Sequence, residues 1–86
     1  MVAVKRVQTG VRIEVRLLKV LKSLADYLDL SLGDLMEGIV LHAFERQHAF
    51  DEATVTVIGQ LKEIYRLELG AADSHHLNET EEQPAP

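Results

Sequence analysis

The 86-residue chain has no cysteine, which excludes disulfides and thiolate metal sites and removes any cysteine-based argument for an oxidising compartment. No apolar run approaches the roughly 20 residues needed to cross a bilayer, and the N-terminus lacks the uninterrupted apolar core of a secretory signal. A cytoplasmic location with no membrane partner is expected. Residues 71 to 86 hold no lysine or arginine, carry Asp73, Glu79, Glu81 and Glu82, and end Pro-Ala-Pro; this composition predicts a disordered acidic tail. A phosphate-cradling glycine loop, a nucleophile elbow and a catalytic acid pair are all missing. His42 and His48 lie six apart and His75 adjoins His76, and neither spacing brings two imidazoles to one ion. The sequence therefore predicts no enzyme, no metal site and no cofactor. A chain this short is one domain at most and buries a limited fraction of its surface, so without staples it looks for a partner.

What is present is divided by charge. The formal net charge is -5, yet residues 1 to 22 carry Lys5, Arg6, Arg12, Arg16, Lys19 and Lys22 against Glu14 alone, a net +5. The other 64 residues set Arg46, Lys62 and Arg66 against thirteen acids, a net -10. A basic arm on an acidic body suits an anionic partner for the arm and solubility for the body.

The stretch Val11 to Phe44 holds two apolar helical stripes. Leu17, Leu21, Leu24 and Leu28, flanked by Leu18 and Ala25, form the first; Leu32, Leu35, Met36, Ile39, Val40, Ala43 and Phe44 form the second. Asp34, Glu37, Gly38 and Glu45 lie opposite the second stripe. Ser31 stands where an N-cap belongs, and Asp34 places negative charge at the positive end of the helix, so the second helix is expected to start near Leu32. The break at Asp29-Leu30 is so short that the two helices must turn back or cross at once.

Ahead of these helices the arm alternates. Val7, Thr9, Val11 and Ile13 face one way, and Arg6, Gln8, Gly10 and Arg12 the other, the pattern of a strand with one apolar face. A strand cannot exist alone, because its backbone groups need pairing. The alternation also continues through Val15 and Leu17, so periodicity leaves two readings open. Either the strand runs to Leu17 and forms a hairpin within the chain, or it stops at Ile13, Glu14 opens a longer helix, and the strand finds its mate in another subunit.

Val11-Arg12-Ile13, Leu17-Leu18, Leu21, Leu24-Ala25, Leu30-Ser31, Leu35-Met36 and Ile39-Val40 together resemble the ribbon-helix-helix family of repressors and antitoxins, the Arc and MetJ type of β-ribbon DNA readers. The match covers roughly residues 7 to 46 without a gap and favours the strand ending at Ile13. It implies a mainly α fold with one N-terminal strand and two core helices, assembled as an intertwined homodimer whose antiparallel ribbon enters the major groove of double-stranded DNA. On that reading Gln8, Gly10 and Arg12 face the bases, while Lys5, Arg6, Arg16, Lys19 and the second-helix start Ser31, Leu32 and Gly33 meet phosphates. Gly10 stands where the family commonly bears a base-reading side chain, so it either admits a close backbone approach or marks a bulge or a face that does not read bases.

Beyond Arg46 a third helix is expected from Asp51 as N-cap through Glu52 to about Leu69, stopped by Gly70, with Val55, Ile58, Leu61 and Tyr65 as its main stripe. The expected organisation is an arm over 1-5, the ribbon-helix-helix domain over 6-47, a helical extension over 48-70 and a tail over 71-86. The expected function is that of a homodimeric, sequence-specific transcriptional regulator. The alternative is an antitoxin or other protein-interaction module that binds a partner such as a toxin through the third helix and tail.

Overall fold

A computed structural model describes residues 1–80, so Glu81, Glu82 and the Pro-Ala-Pro end of the expected tail lie outside the described residues. Three helices of 13 residues each follow one another: α1 (Val15–Tyr27), α2 (Leu32–Phe44) and α3 (Glu52–Ile64). A single 3-10 turn, Ala71–Asp73, comes after them. Each helix starts on an oxygen that accepts a first-turn N–H. The Glu14 carboxylate accepts from Leu17 N at 2.8 Å, the Ser31 hydroxyl from Asp34 N at 3.1 Å, and the Asp51 carboxylate from Thr54 N at 2.8 Å. These are the starts expected from Glu14, Ser31 and Asp51, because a cap is local chemistry.

The helix ends also share one form. Asp29, Arg46 and Arg66 all have φ near +57°, and the next residue donates five residues back, Leu30 N to Ala25 O, Gln47 N to His42 O and Leu67 N to Lys62 O. This reversal satisfies carbonyls that the last turn leaves open. Asp29 thus occupies the position that a turn glycine commonly fills. The end of α3 comes earlier than the expected stop at Gly70, because the reversal at Arg66 turns Leu67 back into the interior, where it is buried.

α1 is the central element, packed on both α2 and α3. Its spacing places Val20, Leu24 and Ala25 inside, and Leu24 and Ala25 meet Leu35 of α2 in a small core. Leu21, Leu28, Ile39, Phe50, Ile58 and Leu61 close around that cluster. The second-helix stripe is only half used: Leu35 is buried, whereas Val40 and Phe44 are 44% and 78% exposed. The short connection over residues 28–31 brings α1 and α2 together at that corner, and the far end of α2 is left exposed among the described residues.

The expected strand over Val7–Ile13 is not formed. Among the described residues there are helices and no strand, which overturns the ribbon-helix-helix architecture and the intertwined ribbon dimer that it implied. Alternation assigns side chains to faces, but a strand also needs a ladder of backbone hydrogen bonds, and among the described residues no segment pairs with the arm in that way. A hairpin reaching Leu17 is excluded as well, since α1 begins at Val15. The arm instead leaves the body as exposed chain, with Val2, Val4, Val7 and Val11 all more than half exposed. The radius of gyration is accordingly 14.1 Å, against about 12 Å for a compact chain of this length. The first part of the expected disordered tail has a defined turn, in which the Asp73 carboxylate accepts from Gly70 N at 2.7 Å.

Candidate nucleic-acid interface

The candidate contacts fall in two neighbourhoods rather than on one ribbon face. Arg6 lies against the outer side of α2, where its Nε and one terminal nitrogen donate to the two Glu37 oxygens at 2.9 and 2.7 Å. Parallel donation of this kind matches the fork of a guanidinium to the fork of a carboxylate. The hydrogen bond from Arg6, with its charge, holds the Glu37 carboxyl below the usual glutamate range, and Glu37 in turn raises Arg6. Asp34, one turn nearer the helix start, adds a further favourable charge for Arg6.

Arg6 therefore stands close to the start of α2, which holds Ser31, Leu32 and Gly33. Ser31 already spends its hydroxyl on the Asp34 cap. Gly33 is exposed, and a Cβ built there would meet nothing within 4 Å, so an incoming group has open approach to this first turn. First-turn N–H groups have no partner within the helix and favour an anion.

Arg12 and Arg16 form the second neighbourhood, beside the C-terminal segment. Arg12 makes a two-pronged pair with the Glu79 carboxylate. Arg16, in the first turn of α1, donates to the Arg66 carbonyl at 3.2 Å, which places it at the end of α3. Lys5, Gln8, Gly10 and Lys19 are exposed. A Cβ at Gly10 would also meet open space, and its φ is not positive. Nothing local to the arm thus demands a glycine there, and among the described residues there is no strand pairing for a bulge to interrupt.

The acidic body does not stand apart from the basic arm, since Glu37 and Glu79 hold two of its three arginines. The partners lie 31 and 67 residues from the arginines they bind, a separation at which local periodicity carries no signal. The only hint was the opposite sign of the two parts of the chain.

Elsewhere the described residues offer little chemistry. No group of three or more His, Asp or Glu stands close enough to hold a metal ion among them. His42 uses Nδ1 on the Gly38 carbonyl at 2.6 Å within its own helix. An open recess of about 410 Å³ lies between α1, α3 and the C-terminal segment, walled by apolar side chains such as Leu17, Leu21, Ile58 and Leu77, with Lys62 at its edge. No helix among the described residues is long and apolar enough to cross a membrane. Comparison with family models, curated proteins and solved structures finds no match for this chain.

Proposed function

We propose that this chain is a homodimeric DNA-binding regulator of the cytoplasm that holds a duplex through its basic N-terminal arm. One observation carries this reading: residues 1–12 form an exposed arm without secondary structure that runs directly into the basic first turns of α1. Extended chain of this kind follows a groove or a phosphate row without first unfolding anything. Lys5, Arg6, Arg16 and Lys19 supply charge for phosphates, and the first turn of α2 offers backbone N–H groups to a further one. Gln8 and Arg12 supply the amide and guanidinium that bond adenine and guanine edges. In a dimer the basic segments together carry roughly +10, which steers and holds an anionic polymer in spite of the acidic total.

Titration of labelled duplexes with the intact protein at two salt concentrations tests the proposal. Affinity is expected to fall steeply with salt. Arg12→Ala should lose about 1 to 3 kcal/mol on the preferred sequence and relax its specificity, while Lys19→Ala weakens all sequences alike. No affinity for any duplex at low salt would sink the proposal.

A second reading has its own observation. Val40, Leu41 and Phe44 at the outer end of α2, with Val55 and Ile64 on α3, are all more than two-fifths exposed, more apolar surface than a solvated helix end needs. This favours a protein-interaction module, such as an antitoxin docking a toxin. Co-purification of a stoichiometric partner that Phe44→Ser abolishes would support it; survival of that complex would remove the surface from consideration.

A further inference from the structure

The arginines best suited to an anionic polymer are already engaged by the protein's own acceptors. Arg6 grips Glu37 through two parallel hydrogen bonds, Arg12 grips Glu79 in the same manner, and Arg16 donates to the end of α3. A carboxylate offers a guanidinium the same two-oxygen fork that a phosphate offers. From this geometry we infer that Glu37 and Glu79 form an internal latch on the arm, occupying Arg6 and Arg12 as phosphate mimics that a duplex must displace before the arm can engage it. The inference rests on the DNA-binding reading for its consequence, though the latch itself is a property of the free chain.

The latch is exchangeable. Side chains of the Arg6–Glu37 pair are 61% and 45% exposed, and those of Arg12–Glu79 are 83% and 63% exposed, so both pairs are screened by water and salt. Exposed pairs of this kind shift an equilibrium by about two- to fivefold each. That strength suits a competitor, since a row of phosphates presents many such forks and releases condensed counterions when it is bound. The two acids also sit on separate elements, one on α2 and one in the C-terminal segment. The arm is thus fastened at two points and can be freed at one of them. Salt has opposing effects, loosening the latch and weakening the duplex complex together, so the net salt dependence of binding should be shallower than the arm's charge alone dictates.

Two measurements on the full chain test this. Trypsin must take an arginine side chain into its own acidic pocket, so cleavage after Arg6 or Arg12 follows the fraction of time that each guanidinium is released. Glu37→Gln should speed cleavage after Arg6 about two- to fivefold and leave cleavage after Arg12 unchanged, and Glu79→Gln should do the converse. Glu45→Gln makes the same change of charge at the end of α2 without an arm contact and should alter neither rate. In the second measurement a labelled duplex is titrated with the same variants. Glu37→Gln and Glu79→Gln should each bind about two- to fivefold more tightly, with a larger gain than Glu45→Gln. Cleavage rates equal to the parent's at both sites overturn the latch. Gains no larger than that of Glu45→Gln overturn its role as a competitor and leave general charge as the cause. If no variant binds a duplex, the DNA-binding reading fails and takes the competition with it, while the cleavage rates still decide whether the latch exists.

Discussion

At the ends of α1, α2 and α3 the chain enters the left-handed region at Asp29, Arg46 and Arg66, where a side chain costs about 1 to 2 kcal/mol relative to the right-handed region. Aspartate tolerates the position because its short carboxylate can bond locally; arginine has no such help. Arg46→Gly should therefore raise stability by up to about 1 kcal/mol, the freer unfolded chain offsetting part of the relief, and Arg46→Val should lower it. Urea titration of the two variants distinguishes these signs. At the opposite ends, Ser31→Ala removes the acceptor for Asp34 N and should cost about 1 kcal/mol. Asp51 adds a pH dependence. Hydrogen bonds from Thr54 hold its carboxyl below the usual aspartate range, so the folded state binds a proton less readily than the unfolded chain. This contribution is fully present above the unfolded value, about pH 4, and is lost as pH falls through the lower folded value. An acid titration of stability should be shallower for Asp51→Asn, and unchanged steepness would refute the role given to this cap. The caps were legible in the sequence because acceptor and donor lie three residues apart. The ends at Arg46 and Arg66 were not, since nothing in an arginine announces a left-handed turn.

The elements differ in how much of their pattern they use. Leu21, Leu24 and Leu28 of the α1 stripe pack into the core while Leu17 stays 38% exposed, and truncating Leu24, which is 2% exposed, should cost about 2 to 5 kcal/mol. Leu41 lies off the second-helix stripe and is 63% exposed, so Leu41→Ala should stay within about 0.5 kcal/mol of the parent. Denaturation of Leu24→Ala and Leu41→Ala side by side checks both, and similar losses would contradict this packing. Ile39 packs against the core without being fully buried, so its truncation belongs between them. The apolar periodicity of α2 correctly gave a helix over Leu32–Phe44, but period alone cannot say how far along the helix a neighbour reaches. The arm shows the complementary limit. Its period-two alternation is real in the sequence, yet a strand is a relation between two segments, and the described chain supplies one. Of the candidate contacts, the residue types could be read beforehand, whereas the exposure of the arm and the engagement of Arg6 and Arg12 could not, because the first depends on a pairing segment and the second on partners that the fold brings to them.

For the molecule as a whole, the accessible surface is 7682 Å², against about 5,100 Å² expected for a compact monomer of this mass. The excess comes from the arm, the C-terminal segment and the bare end of α2. It exceeds the roughly 800 Å² per partner of a standard interface, so a homodimer covering Phe44 and its neighbours has surface to spare. If such a dimer is the working form, the unfolding midpoint should rise with protein concentration, and Phe44→Ser should weaken association more than it weakens the monomer's own core. Midpoints constant over a hundredfold dilution, with a monomer mass in solution, would rule the homodimer out.

The Ser23 hydroxyl donates to the Tyr65 phenol oxygen at 3.0 Å, joining α1 to the end of α3. The chain has no tryptophan and only one other tyrosine, Tyr27, which is 60% exposed. Tyrosine emission is therefore unmasked, and with Tyr27→Phe the remaining signal comes from a single phenol at the joint between the two helices. The protein carries a built-in optical gauge of α3 docking. A change in that signal at a lower denaturant concentration than the loss of helical circular dichroism would show the third helix parting from α1 before the remainder unfolds.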